Sequence, residues 1–138
     1  MKLIEKIDMY SVNLPESMTL FGTHSEEESI QKIIAIGKPC FFRVGEKGSY
    51  MIQDGKAWFA PSVGAAESVD ATGCGNCSTG ASLYGYCEGK HPLMTAILAN
   101  LAAGVNAGQY GPYPHYTEEL RRKLFAQADE MFKKLMEA

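Results

Sequence analysis

No apolar run in the 138 residues approaches the roughly 18 needed to cross a membrane. The opening stretch, Met1-Lys2-Leu3-Ile4-Glu5-Lys6, lacks the apolar segment of a secretory signal. No cluster of Lys or Arg makes a basic stripe, and the formal net charge is −3, which argues against a general nucleic-acid binder. Cysteine is scarce: Cys40, Cys74, Cys77 and Cys87, with no export signal beside them, read as reduced thiols and not as a disulfide framework. These absences predict a cytoplasmic protein. Repeats and linkers are missing too, so residues 1–138 are expected to form a single domain. With 46% hydrophobic and 21% charged residues, the composition is that of an ordered domain able to bury one core of its own.

The chain alternates short β-prone runs with amphipathic ones. Ile7 to Val12 reads as a strand, broken by Asn13-Leu14-Pro15-Glu16. Pro15 suits the first turn of a short helix that ends near Phe21, with Gly22 as its stop. Ser25-Glu26-Glu27-Glu28 has capping-box spacing ahead of a helix whose apolar stripe is Ile30, Ile33 and Ile34 and whose stop is Gly37. Cys40 to Val44 predicts a strand, Gly45 to Gly48 a turn, and Ser49 to Gln53 the return strand. Asp54-Gly55 is a hairpin signal leading to a third strand of the run, Ala57 to Ala60, and Pro61 to Ser68 reads as loop. From Cys74 onward the pattern is helical. Leu93 to Val105 is apolar on nearly every face and should be buried, and Thr117 caps a last helix with a stripe of Leu120, Leu124, Ala128, Met131 and Leu135. The fold class is α/β, a small sheet flanked by helices.

The stretch richest in chemistry is Val69-Asp70-Ala71-Thr72-Gly73-Cys74-Gly75-Asn76-Cys77. Glycines that lead straight into a helix leave N–H groups and a partial positive charge open to a closely approaching anion, most often a phosphate. The bland alternative is an ordinary helix start capped by Thr72 or Asn76. A Walker loop is excluded, because no Gly-Lys-Ser/Thr follows.

Asp70-x-Thr72-Gly73-Cys74-Gly75-Asn76 resembles the second signature of the PfkB, or ribokinase-like, carbohydrate kinases, whose usual form is Asp-Thr-x-Gly-Ala-Gly-Asp at a helix start. Phe42-Arg43-Val44-Gly45-Glu46-Lys47-Gly48 resembles that family's strand and Gly-x-x-Gly turn beside the nucleotide. Asn13-Leu14-Pro15-Glu16 resembles its Asn-x-x-Glu motif, and Asn100 falls where the family has an Asn in the helix packed on the nucleotide. The order and spacing agree from about Ile7 to Pro114. The resemblance implies the C-terminal, nucleotide-side half of a ribokinase-like layered fold. It implies ATP and Mg²⁺ as cofactors and phosphoryl transfer to a hydroxyl of a sugar or nucleoside. Gly73, Cys74 and Gly75 would form the anion hole, Gly45, Gly48 and Asn100 would lie along the nucleotide, and Asn13 and Glu16 would act on Mg²⁺ through water. Arg43 stands where the family often has a small hydroxyl residue; it would either join the nucleotide site by reaching a phosphate or pair with a carboxylate.

Two features depart from that pattern. The general-base position holds Asn76, a neutral amide that cannot take a proton near pH 7, and Asp70 is the nearest carboxylate in sequence. Family members are also much longer and carry the sugar-binding strands and lid in an N-terminal half. The expected partners are therefore a nucleotide, a small sugar or nucleoside, and either a second copy of the chain or a separate N-terminal half, with no nucleic acid and no membrane. The alternative function is a non-catalytic remnant acting through nucleotide binding or self-association. Rival uses of the cysteines are a redox pair in Cys74-Gly-Asn-Cys77 and a zinc site adding Cys87 and His91. The second fails on length, because a helix over Ser78 to Tyr86 carries Cys87 about 15 Å from Cys77. The loop of Tyr110, Pro112, Tyr113, Pro114, His115 and Tyr116 would either flank an adenine or cap the core.

Overall fold

The computed structural model describes residues 2–64, 68–111 and 115–138. Four strands form one sheet in chain order: β1 (Tyr10–Asn13), β2 (Cys40–Arg43), β3 (Gly48–Gln53) and β4 (Lys56–Pro61). β1 and β2 are parallel, joined by a crossover of two helices, α1 (Leu14–Phe21) and α2 (Glu26–Ile36). β2, β3 and β4 form an antiparallel meander. Three helices follow: α3 (Cys74–Cys87), α4 (Pro92–Ala107) and α5 (Glu118–Glu137).

Period-two alternation splits the core into two layers. Phe41 and Met51 face α4 and pack with Leu93, Ile97 and Leu101, against which Leu124, Phe125, Met131 and Phe132 of α5 close. Cys40, Phe42, Val44 and Ile52 face the other way and pack with Val12 and Ile33, under α1 and α2. The Cys40 thiol is fully enclosed, and burial pushes its pKa up to about 12. The sheet is thus sandwiched between helical layers, and α4, apolar on nearly every side, is the central helix of the second layer.

Local chemistry explains the element ends. Gly22 and Gly37 take left-handed conformations that close α1 and α2. Asp54 (φ 52°) and Gly55 (φ 76°) make the two-residue turn between β3 and β4. Thr117 caps α5 by accepting the Leu120 N–H at 3.1 Å.

Two sequence expectations need correction. The first strand begins at Tyr10 and not at Ile7, because Ile4–Lys6 coils into a 3-10 turn with the Ile7 N–H bonded to the Ile4 carbonyl at 3.4 Å. Ser25 accepts the Glu28 N–H as expected, but the Glu28 carboxylate reaches one residue further back, to the His24 N–H at 2.8 Å. The complete capping box lies elsewhere, at Asn13 and Glu16. Among the described residues, no helix is long and apolar enough to cross a membrane.

Candidate functional site

The glycine-rich turn ends where α3 begins. Gly73, at φ 83°, is the N-cap of α3, and no side chain caps that end. The bland reading of the turn, with Thr72 or Asn76 as cap, is therefore not what forms. The Cys74 N–H turns back to the Ala71 carbonyl at 3.2 Å and the Cys77 N–H to the Gly73 carbonyl at 2.9 Å. The N–H groups of Gly75 and Asn76 make no hydrogen bond among the described residues. They are the open donors of the helix start.

The turn is tied down from beneath by residues of the loop and of α4. The two carboxylate oxygens of Asp70 accept the Thr72 N–H at 2.9 Å and the Gly111 N–H at 3.0 Å. The Gly111 and Thr72 donors hold this carboxyl below the usual carboxylate range. The Val69 and Asp70 N–H groups both bond the Ala107 carbonyl, at 2.7 and 3.1 Å. Asn106, fully buried, donates to the Thr72 carbonyl at 2.8 Å and to Cys74 Sγ at 3.2 Å. Sequence reasoning missed Asn106: the expected helix stopped at Val105, one residue short. A polar residue directly after an all-apolar helical run was the available signal.

A second turn faces the first. Gly45–Lys47 is one turn of 3-10 helix between β2 and β3, with Gly45 at φ 67° and Gly48 at φ 140°. A Cβ on Gly48 would run into the Ala60 carbonyl oxygen, so only glycine lets β3 pass so close under the end of β4. Asn100, on α4, braces that place. Its oxygen accepts from the Ser49 hydroxyl at 2.7 Å, and its nitrogen donates to the Ala60 and Pro61 carbonyls at 2.9 and 3.0 Å. The Asn100 nitrogen is thus committed to the end of β4, and its oxygen to Ser49.

Between these turns lies a cavity of about 430 Å³, within the usual range of small-ligand sites. Its wall brings together Asn13, Arg43, Gly45, Gly48, Gly75 and Asn100, with Cys74 beside Gly75 and with Val63, Gly64 and Gly104 closing the far end. Gly104 is small for a reason: a Cβ there would lie 2.7 Å from the Val63 carbonyl oxygen. Four of the residues singled out from sequence stand outside the wall: Glu16, Asp70, Gly73 and Asn76. Asn76 is exposed on the first turn of α3.

Asn13 and Glu16 hold each other. The Asn13 side chain accepts the Glu16 N–H and Glu16 Oε2 accepts the Asn13 N–H, both at 2.8 Å. Arg43 Nη2 stands 3.7 Å from the same Oε2. Glu16 Oε1 makes no hydrogen bond or ion pair among the described residues.

The cysteines are free thiols, and two are tied to α4, Cys74 Sγ 3.5 Å from the Ala103 carbonyl and Cys77 Sγ 3.5 Å from that of Ala102. Cys77 also meets the Tyr116 hydroxyl at 3.2 Å. His91 caps α4 by accepting the Leu93 N–H at 3.1 Å and stacks edge-on between Trp58 and Phe132. Of the aromatic loop, Pro112, Tyr113 and Pro114 lie outside the described residues. Tyr116 lines a separate, mostly apolar groove of about 690 Å³ between α3, α4 and α5.

The pattern described as pfkB family carbohydrate kinase matches residues 1–119. Among curated proteins none matches the chain in sequence. Among solved structures, a probable sugar kinase from Rhizobium etli superposes with a TM-score of 0.78 at 28% identity, over 89% of this chain and 37% of that one. An adenosine kinase from Sinorhizobium meliloti superposes with a TM-score of 0.79 at 25% identity, over 88% of this chain and 38% of that one. A fructokinase from Vibrio cholerae, solved with fructose, ADP and calcium ion, gives 0.72 at 22% identity, over 91% and 42%. The fold is ribokinase-like, and the chain spans less than half the length of each of these structures.

Proposed function

The chain belongs to the pfkB family of carbohydrate kinases, and from that membership we propose that its residues 1–138 form one domain, the C-terminal nucleotide-binding part of a cytoplasmic kinase that passes the terminal phosphate of ATP to a sugar or nucleoside-like hydroxyl. The observation that carries this reading is convergence. Seven residues chosen from four separate stretches of the sequence line one cavity beside an uncapped helix start.

In this reading the open N–H groups at Gly75 and Asn76, with Gly73 and Cys74 shaping the turn, receive the charge that builds on the transferring phosphoryl oxygens. Gly45 and Gly48 lie along the nucleotide, Gly48 being glycine because β3 passes so close under the end of β4. Asn100 acts at one remove, by fixing the β3–β4 end that forms the cavity floor. Asp70 keeps the turn in shape. Both its oxygens already accept N–H groups, which leaves it poorly placed to accept a proton from a substrate. Glu16 offers one free carboxylate oxygen on a half-exposed side chain, and Asn13 fixes its geometry. That arrangement fits a divalent cation, which Glu16, positioned by Asn13, would hold through water. When bound, the metal neutralises phosphate charge.

Asn76 favours a second reading, nucleotide binding without turnover. It stands where the family pattern has the general base, and a missing base costs 10²–10⁴-fold in rate. In either reading the acceptor site lies in the length that the solved relatives have beyond their match to this chain. Thermal unfolding with Mg²⁺–ATP, ADP and AMP tests the shared premise. At nucleotide 100 times its Kd the stabilisation is about 2.7 kcal/mol. An unmoved melting temperature at millimolar nucleotide would sink both readings.

A further inference from the structure

Arg43 ends β2, opposite Asn13 on β1 and Ser49 on β3. Its side chain lines the cavity and reaches the first turn of α3. A Cβ built on Gly75 would lie 2.5 Å from Nη1 and 3.6 Å from Cζ. A guanidinium against the positive end of a helix is the reverse of what the helix dipole favours. Little offsets it. Glu16 approaches only to 3.7 Å, through an oxygen already bonded to the Asn13 N–H, and across a partly exposed gap where such pairs contribute little. Glu46 lies in the same wall, exposed on the 3-10 turn, and makes no ion pair with Arg43. Arg43 Nε is buried without a hydrogen-bond partner among the described residues. Positive charge and an unused donor therefore converge on one cavity.

Resting on the nucleotide-site reading above, we infer that Arg43 is a resident cation for the nucleotide's polyphosphate and makes diphosphate binding largely independent of magnesium. Guanidinium stays charged at any working pH and grips phosphate through paired N–H donors. On binding, it exchanges a loose contact with Glu16 for phosphate oxygens, and its buried Nε gains an acceptor. A divalent ion then adds to a site that is already neutralised.

Calorimetric titration of the 138-residue chain with ADP, once in EDTA and once in millimolar Mg²⁺, reads this out. The wild-type Kd should differ by no more than about threefold between the two conditions. Arg43→Ser should bind about tenfold or more weakly in EDTA, the scale of one lost charged hydrogen bond, and recover most of that in Mg²⁺. Arg43→Gln, checked for folding by circular dichroism, gives the same comparison should the serine variant fail to fold. If wild type gains tenfold or more from Mg²⁺, or either folded variant matches wild type in EDTA, the inference is wrong and the nucleotide site stands. If wild type binds no ADP in either condition, the nucleotide reading falls and the inference with it.

Discussion

Gly75 is the residue at which backbone and Arg43 meet, and its lack of a side chain has two uses. It leaves the N–H at the α3 start open, and it admits the guanidinium at contact distance. The atom a Cβ would strike is the tip of a flexible side chain, so the fold can yield. Gly75→Val should change unfolding free energy by no more than about 1 kcal/mol, while phosphate or nucleotide binding falls at least about tenfold. Chemical denaturation and ADP titration on one preparation check both halves, and unaltered binding would remove the turn from the site. Asn76 poses the opposite question. Asn76→Asp is nearly isosteric and places a carboxylate at a helix N-terminus, worth about 0.3–1 kcal/mol in its favour. Stability should hold or rise slightly. Transfer to a hydroxyl acceptor, or background ATP hydrolysis, should rise by up to about 10²-fold once a substrate-binding half is supplied. Equal turnover by both proteins would mean that residue 76 does not occupy the base position.

At the scale of elements, the site depends on two turns being held at fixed separation by α4. Gly48 shows how little slack there is. Its φ of 140° is closed to ordinary side chains, and a Cβ would meet only backbone: the Ala60 carbonyl oxygen, the Ser62 nitrogen at 2.9 Å and the Pro61 carbonyl carbon at 3.0 Å. No neighbour can rotate away. Gly48→Ala should cost about 2–4 kcal/mol, from strain and overpacking together. Urea unfolding measures it, and a loss under about 0.5 kcal/mol would contradict the geometry of the turn. The two turns were legible in the sequence because both depend on glycine, which marks backbone constraints directly. The α4 bracing was not. Asn100 lines the cavity, but its bonds to Ser49, Ala60 and Pro61 have no local signature. Asn106, which holds the Thr72 carbonyl, went unseen. Both act across 30 or more residues of chain, and no local spacing rule reports such a partner. The Asn13–Glu16 spacing was read through metal chemistry, while its capping box, equally legible by its spacing, passed unnoticed. Local pattern located the glycines, and only tertiary structure assigned the amides.

For the whole molecule, the open question is what meets the outer edge of the sheet. β1 pairs with β2 on one side and, among the described residues, with no strand on the other. The Tyr10 N–H points inward, to the Pro39 carbonyl at 3.1 Å, so strand alternation turns those of Ser11 and Asn13 outward. Glu16 takes the Asn13 donor. Ser11 is left as the outward amide on an edge four residues long, a site for pairing with a second copy or with a separate partner half. Self-association through this edge should appear in light scattering at tens of micromolar as a mass near twice that of the 15.1 kDa chain. Ser11→Lys should reduce it to the monomer, because a charge on an edge strand opposes pairing while the amide ladder to β2 is untouched. Ser11 also contacts Thr79 on α3 at 3.1 Å, so Thr79→Ala serves as the control that removes that contact and leaves the edge free. A monomeric wild type would dismiss the edge as an interface. A dimer that survives Ser11→Lys would move the interface to another surface, with the apolar groove between α3, α4 and α5 as the next to mutate.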